Sequence, residues 1–144
     1  MYVQTAITVF NKRLSADRRE VYFPTCIRSA SFLESKGSGH STDGAHSQSL
    51  AYKLRIPFNA TIQDSKSYIP EAEYGLLDDD AAAACWTLQT GDYVATMETE
   101  LTEPIDFGTL EALTARSQLI AVKEFADNTI RGTNAVKHWR IGGE

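Results

Sequence analysis

A chain of 144 residues is the size of one ordinary domain and long enough to bury a core without disulfide or metal staples. With 42% apolar and 23% charged residues it is neither wholly disordered nor membrane-embedded, and no window approaches the length of a spanning helix. A net charge of -5 argues against a protein that grips nucleic acid by neutralising phosphates, which needs a surplus of Lys and Arg on one face, although an acidic wall suits a polynucleotide that only slides past. The opening MYVQTAITVF lacks the basic lead-in and small-residue cleavage site of a secretory signal. The chain is therefore expected to be cytosolic when made, with Cys26 and Cys85 as free, buried thiols.

In chain order, TAITVF reads as a first strand through Ile7, Val9 and Phe10. EVYFPTCIRSASF is the second; it places Val21, Phe23 and Ile27 on one face, and Pro24 marks an edge or a bulge. Next comes SKGSGHSTDGAHSQS, residues 35–49, which holds no apolar residue larger than Ala and cannot join a core. It reads as a long excursion between strands, either functional or disordered. AYKLRIPFNA is the clearest strand: Tyr52, Leu54, Ile56 and Phe58 alternate with Lys53, Arg55, Pro57 and Asn59, so one face is apolar and the other wet.

DDDAAAACW predicts one or two helical turns capped by its aspartates. After the turn at Gly91 and Asp92, Tyr93, Ala95 and Met97 alternate with Val94, Thr96 and Glu98. PIDFGTLEALTA predicts a short helix on Ile105, Leu110 and Leu113. QLIAVKEFA and AVKHWRI close the chain as two strands either side of the turn-forming DNTIRGTN. The result is an all-β expectation with six strands, one or two short helices, no internal repeat and a single domain over residues 1–144.

The search for chemistry returns little. His40 and His46 stand six apart in the polar loop with Asp43 between them, a spacing that fits no zinc pattern, and a Gly-Ser-rich loop offers no further groups to orient the imidazoles. His138, beside Trp139, reads as a strand-face residue. The run Asp78, Asp79, Asp80 lacks the alternation and following Gly of a calcium loop and reads as a helix cap. No nucleophile elbow, phosphate-binding loop or dinucleotide fingerprint occurs. Neither an enzymatic activity nor a cofactor or metal is expected. Trp86, Tyr93 and Trp139 could form a stacking platform for single-stranded nucleic acid, but the excess of acid leaves no groove for the backbone, so core or interface is the better reading.

The succession of a polar loop, YKLRIPF, SYIP, CWTLQTGDYV and a terminal KHWRIGGE resembles small proteins encoded in head-tail modules of phages and prophages of Gram-positive bacteria, of head-closure or stopper type. The likeness runs over most of the chain. It implies a small six-stranded β-barrel assembled as a homo-oligomeric ring, expected to be a dodecamer, in the virion neck between the portal and adaptor proteins and the tail. Such a ring retains packaged double-stranded DNA, which passes without sequence-specific contact, and docks the tail terminator; no membrane is involved. The resemblance also implies that the loop carrying Lys36, Gly37, Gly39, His40, Asp43, Gly44, His46 and Ser49 points into the channel, as a gate or alternatively as a docking arm. On this view Gly91 permits a tight turn, Asp92 bonds nearby backbone amides, and Trp86 with Tyr93 covers the barrel mouth, with Trp139 at the same corner or interface. A tail-completion or tail-terminator protein is the nearest alternative, and a single-strand-binding barrel is the alternative of another class.

Overall fold

Runs of β-branched and aromatic residues become strands throughout the computed structural model, which describes residues 3–34, 52–130, 132–133 and 136–144. In chain order these are β1 (Val3–Leu14), β2 (Glu20–Glu34), β3 (Tyr52–Pro57), β4 (Thr61–Ile62), β5 (Ser67–Tyr68), β6 (Cys85–Trp86), β7 (Tyr93–Ala95), β8 (Leu119–Asn128) and β9 (His138–Gly143). Three short helices interrupt them, α1 (Glu71–Tyr74), α2 (Asp79–Ala83) and α3 (Phe107–Leu113). Seven strands form one antiparallel sheet in the order β1-β7-β8-β9-β3-β2-β4, and the further pairing of β1 with β2 closes six of them into a ring of hydrogen bonds. The expected all-β fold with six principal strands is what the chain adopts. The small parallel pair β5–β6, the two-residue β4 and the helix α1 carry too few residues to show a period and were not anticipated.

The ring encloses the main core, where Ile7, Val9, Ile27, Leu54, Ile56, Trp86, Leu88, Val94, Ile120, Trp139 and Ile141 meet. Two satellite clusters lie outside it. Phe10, Tyr22, Ala95 and Leu110 form one under α3, and Phe23, Tyr74 and Ala82 form the other under α1 and α2. Hence β1 and β2 are covered on both faces over much of their length: Val21 and Phe23 join the outer cluster while Ile27 joins the main core. Simple alternation could not separate the two.

Pro24 does lie where β2 has no strand partner on one side, and that edge is closed piece by piece. Tyr22 exchanges two backbone hydrogen bonds with Ile105, the Pro24 carbonyl accepts from Lys66 Nζ at 2.8 Å, and the Cys26 amide donates to Gln63 Oε1 at 2.9 Å. β4 then pairs with Ile27 and Arg28. An open edge would template aggregation, and here a backbone bridge, two side chains and β4 occupy it. The bulge sits further on: Ser29 has φ 71°, beside the register shift between Thr5 and Ile7.

α2 and α3 begin at aspartate caps, and Ile105, expected inside the second of these helices, precedes its cap and bridges Tyr22 instead. Asp78 Oδ1 accepts from the Ala81 amide and Asp106 Oδ1 from the Thr109 amide, both at 2.8 Å. Leu110 is buried as expected, but Leu113 is 37% exposed: the helix ends there, and the inner position is taken by Thr114, which donates to Leu110 O. Phe58 also departs from its expected burial. β3 stops at Pro57, alternation ends with it, and Phe58 instead stacks on Trp139 under the Lys137 ammonium. Cys26 is buried but Cys85 only partly so; both are free.

Candidate functional site

β7 begins at Tyr93, paired with Phe10 of β1 on one side and Ala121 of β8 on the other. One residue earlier the chain must leave the ladder, because Gly91 turns it away with φ +96°. On the β8 side backbone pairing continues: Val122 donates to Asp92 O and Gly91 donates to Val122 O. On the β1 side it fails, and side chains replace it. Asn11 Nδ2 donates to Thr87 O at 2.7 Å and to Asp92 Oδ2 at 2.8 Å, while the Thr87 amide donates back to Asn11 Oδ1 at 3.2 Å. Lys12 N donates to Asp92 Oδ1 at 2.9 Å, and Gln89 Nε2 reaches both carboxylate oxygens and Lys12 O.

Asp92 is buried at 1% exposure, and among the described residues no cation contacts its carboxylate. Burial pushes its carboxyl up to about 6, against the opposing effect of the Lys12, Asn11 and Gln89 donors, which favour the charged form. A carboxyl titrating near neutrality is what a general base requires. Here both oxygens are already occupied by donors, and the residue lines neither of the surface grooves described below, so the chemistry it supplies is that of a clamp.

The expected corner residues do not act together. Trp86 is fully buried and Trp139 is 5% exposed; their rings meet edge to face at 4.9 Å, with Tyr68 against both. Tyr93 belongs to the cluster under α3, at 5.7 Å from Tyr22 and 5.5 Å from Phe107. Trp86 and Tyr93 therefore cover different cores rather than one mouth: alternation along 86–88 sends Trp86 and Leu88 inward, and the Gly91 turn separates Tyr93 from them. Burial leaves neither Trp a face on which a base could stack. His138 lies part-buried at the start of β9, with Nε2 3.3 Å from Asn128.

Two open grooves mark the outer surface near β2. One, of about 630 Å³, is lined by Ser15, Asp17, Arg19, Phe23, Asp80 and Glu103 among others; its neighbour, of about 400 Å³, includes Arg28, Gln63, Asp64 and Glu100, and Thr102 borders both. No group of three or more His, Cys, Asp or Glu is arranged to hold a metal among the described residues. The expected channel residues Lys36, Gly37, Gly39, His40, Asp43, Gly44, His46 and Ser49 lie outside the described residues. Their anchors are described: Glu34 and Tyr52 are direct partners in the β2–β3 ladder.

Residues 2–144 match a family described as a family of unknown function (DUF6751). The chain belongs to DUF6751. The match spans both the Asn11–Thr87–Asp92 clamp and the closing β9 strand, so the whole architecture above falls within the family's extent. No curated protein and no solved structure matches the chain.

Sequence reasoning singled out Gly91 and Asp92 but missed Asn11, Thr87 and Gln89. A signal was present for Asn11: it continues the inward series Ile7, Val9 in β1, a position where an amide is retained only if something binds it.

Proposed function

We propose that this chain is a structural virion protein, the head-closure ring of a bacteriophage head-tail connector, which retains packaged double-stranded DNA and docks the tail. The observation that carries this reading is the pairing of Glu34 with Tyr52, because the polar stretch between them leaves and rejoins a closed ring of strands at one place. A closed ring has few free edges and tolerates such an excursion without loss of its core. The polar groups of WTLQTGD, the stretch that most resembled a site, are taken up in holding a turn, which fits a mechanical role.

On this reading the copies assemble in the neck as a ring, a dodecamer, with portal and adaptor proteins on the head side and tail terminator on the other. The 35–49 stretch is then the part that reaches toward the channel. Reconstruction of an assembled virion neck tests it. Density for this chain as a ring directly below the adaptor supports the assignment; density at the tail side of the joint would make it a tail-completion protein, and absence from the particle would refute both.

A further inference from the structure

We infer that two oppositely charged faces of this chain bind each other between copies, head to tail, with the outer face of β3 and β9 as the basic partner and the acidic rim of the two grooves beside β2 as the other. Charge is segregated along the chain. Twelve acidic residues lie between Asp64 and Glu111, with Lys66 the one cation among them. On β3 and β9 the outward positions are Lys53, Arg55 and Arg140, alternating with buried Leu54, Ile56, Trp139 and Ile141. Arg55 and Arg140 are direct cross-strand partners, and like charges placed opposite one another are unfavourable unless something else neutralises them. None of these three cations is in an ion pair with a described residue; on the neighbouring β8, Glu124 lies across from Gly142 and Asp127 across from the inward-facing Trp139.

The acidic rim lies elsewhere on the ring. The segment carrying Glu98, Glu100 and Glu103 is pinned over β1 and β2 by Thr8 to Met97 O, Gln63 to Leu101 O and the Tyr22–Ile105 bridge. β9 is three strands from β1 in either direction around the ring, and β3 adjoins β2 only at residues 31–34, away from Val21, Phe23, Cys26 and Arg28, which line the grooves. Arg28 pairs with Glu98 and Arg19 with Asp17, which leaves Asp64, Asp80, Glu100 and Glu103 exposed along the grooves without an ion-pair partner among the described residues. A copy that offers plus on one side and minus on another is built for a heterologous contact, and heterologous contacts close into a ring when the rotation between successive copies divides a full turn. Nucleic acid is the weaker partner for the basic strip: three cations on a chain of net charge -5 neutralise few phosphates, and the acidic rim would still lack a partner.

The interface rests on the ring reading for its biological setting, but its test needs only the full chain in solution. At micromolar concentration and physiological salt the chain should sediment mainly as monomer or small oligomers. At about 50 mM salt and several hundred micromolar it should self-associate, and about 500 mM salt should weaken association roughly tenfold. Two double variants separate the faces, Arg55→Glu with Arg140→Glu, and Glu100→Lys with Glu103→Lys, each checked for an unchanged melting temperature. Each alone should lose association at least tenfold, and an equimolar mixture of the two should recover it, because each retains the face the other has lost. Wild type that remains monomeric in low salt, variants that associate as wild type does, or a mixture that does not recover would overturn the inference. So would retention of a labelled DNA duplex by wild type, lost in the arginine variant, without self-association; a neck ring joined through other faces would refute this interface and leave the stopper reading intact.

Discussion

The Asn11 carboxamide and the Thr87 peptide group pair as two strand residues would, one hydrogen bond in each direction at 2.7 and 3.2 Å. The same Asn11 amide also reaches Asp92, so a single side chain carries the ring past the point where β7 gives out. Removing it strands the buried Thr87 amide and carbonyl and takes one donor from the buried Asp92 carboxylate, which keeps Lys12 N and Gln89 Nε2. Asn11→Ala should therefore destabilise the fold by about 2–4 kcal/mol. Urea denaturation checks this, and a loss below about 0.5 kcal/mol, the range of ordinary surface changes, would show that the pairing is dispensable.

Gly91 has φ +96° and open space where a side chain would go. Any cost of substitution there is conformational rather than steric. Gly91→Val should lose about 1–3 kcal/mol of stability, and the melting temperature should report it. A variant that melts as wild type does would mean that the turn relaxes readily to negative φ.

The pH dependence of Asp92 has a definite sign. Its folded pKa, about 6, lies above the ordinary aspartate value of 3.8, so the folded state holds the proton more tightly and the group's contribution is fully present below about pH 4. It is lost as pH rises to about 6 and beyond. Relative to Asp92→Asn, which does not titrate, wild type should lose on the order of 2–3 kcal/mol between pH 4 and pH 7. Parallel stability curves for the two proteins across that window would contradict the burial-driven shift.

Replacing residues 36–49 by a short Gly-Ser turn between the paired ends Glu34 and Tyr52 should leave the melting temperature almost unchanged, because stability depends weakly on loop length. On the head-closure reading proposed above, the same deletion in a phage that carries this chain should yield heads that package DNA and then lose it before tails attach. Virions of normal yield and genome content would remove the gate and leave the segment as a docking arm or a linker.

Local pattern was enough to determine the six principal strands, both aspartate-capped helices and the turn at Gly91, since each depends on neighbours in the chain: alternation in YKLRIP, a cap three residues from its amide, a glycine at positive φ. Tertiary structure alone decided which faces those strands bury and where their polar residues go. β1 and β2 carry apolar side chains on both faces, and only the packing of α3 and of the 97–105 segment tells the outer face from the inner. Asn11 and Asp92 are 81 residues apart, and no periodicity links a carboxamide in one strand to a carboxylate that precedes another. Closing the ring brings them within hydrogen-bond reach; that closure also sets the Arg55 and Arg140 charges opposite each other, because the register of β3 on β9 is a property of the whole sheet.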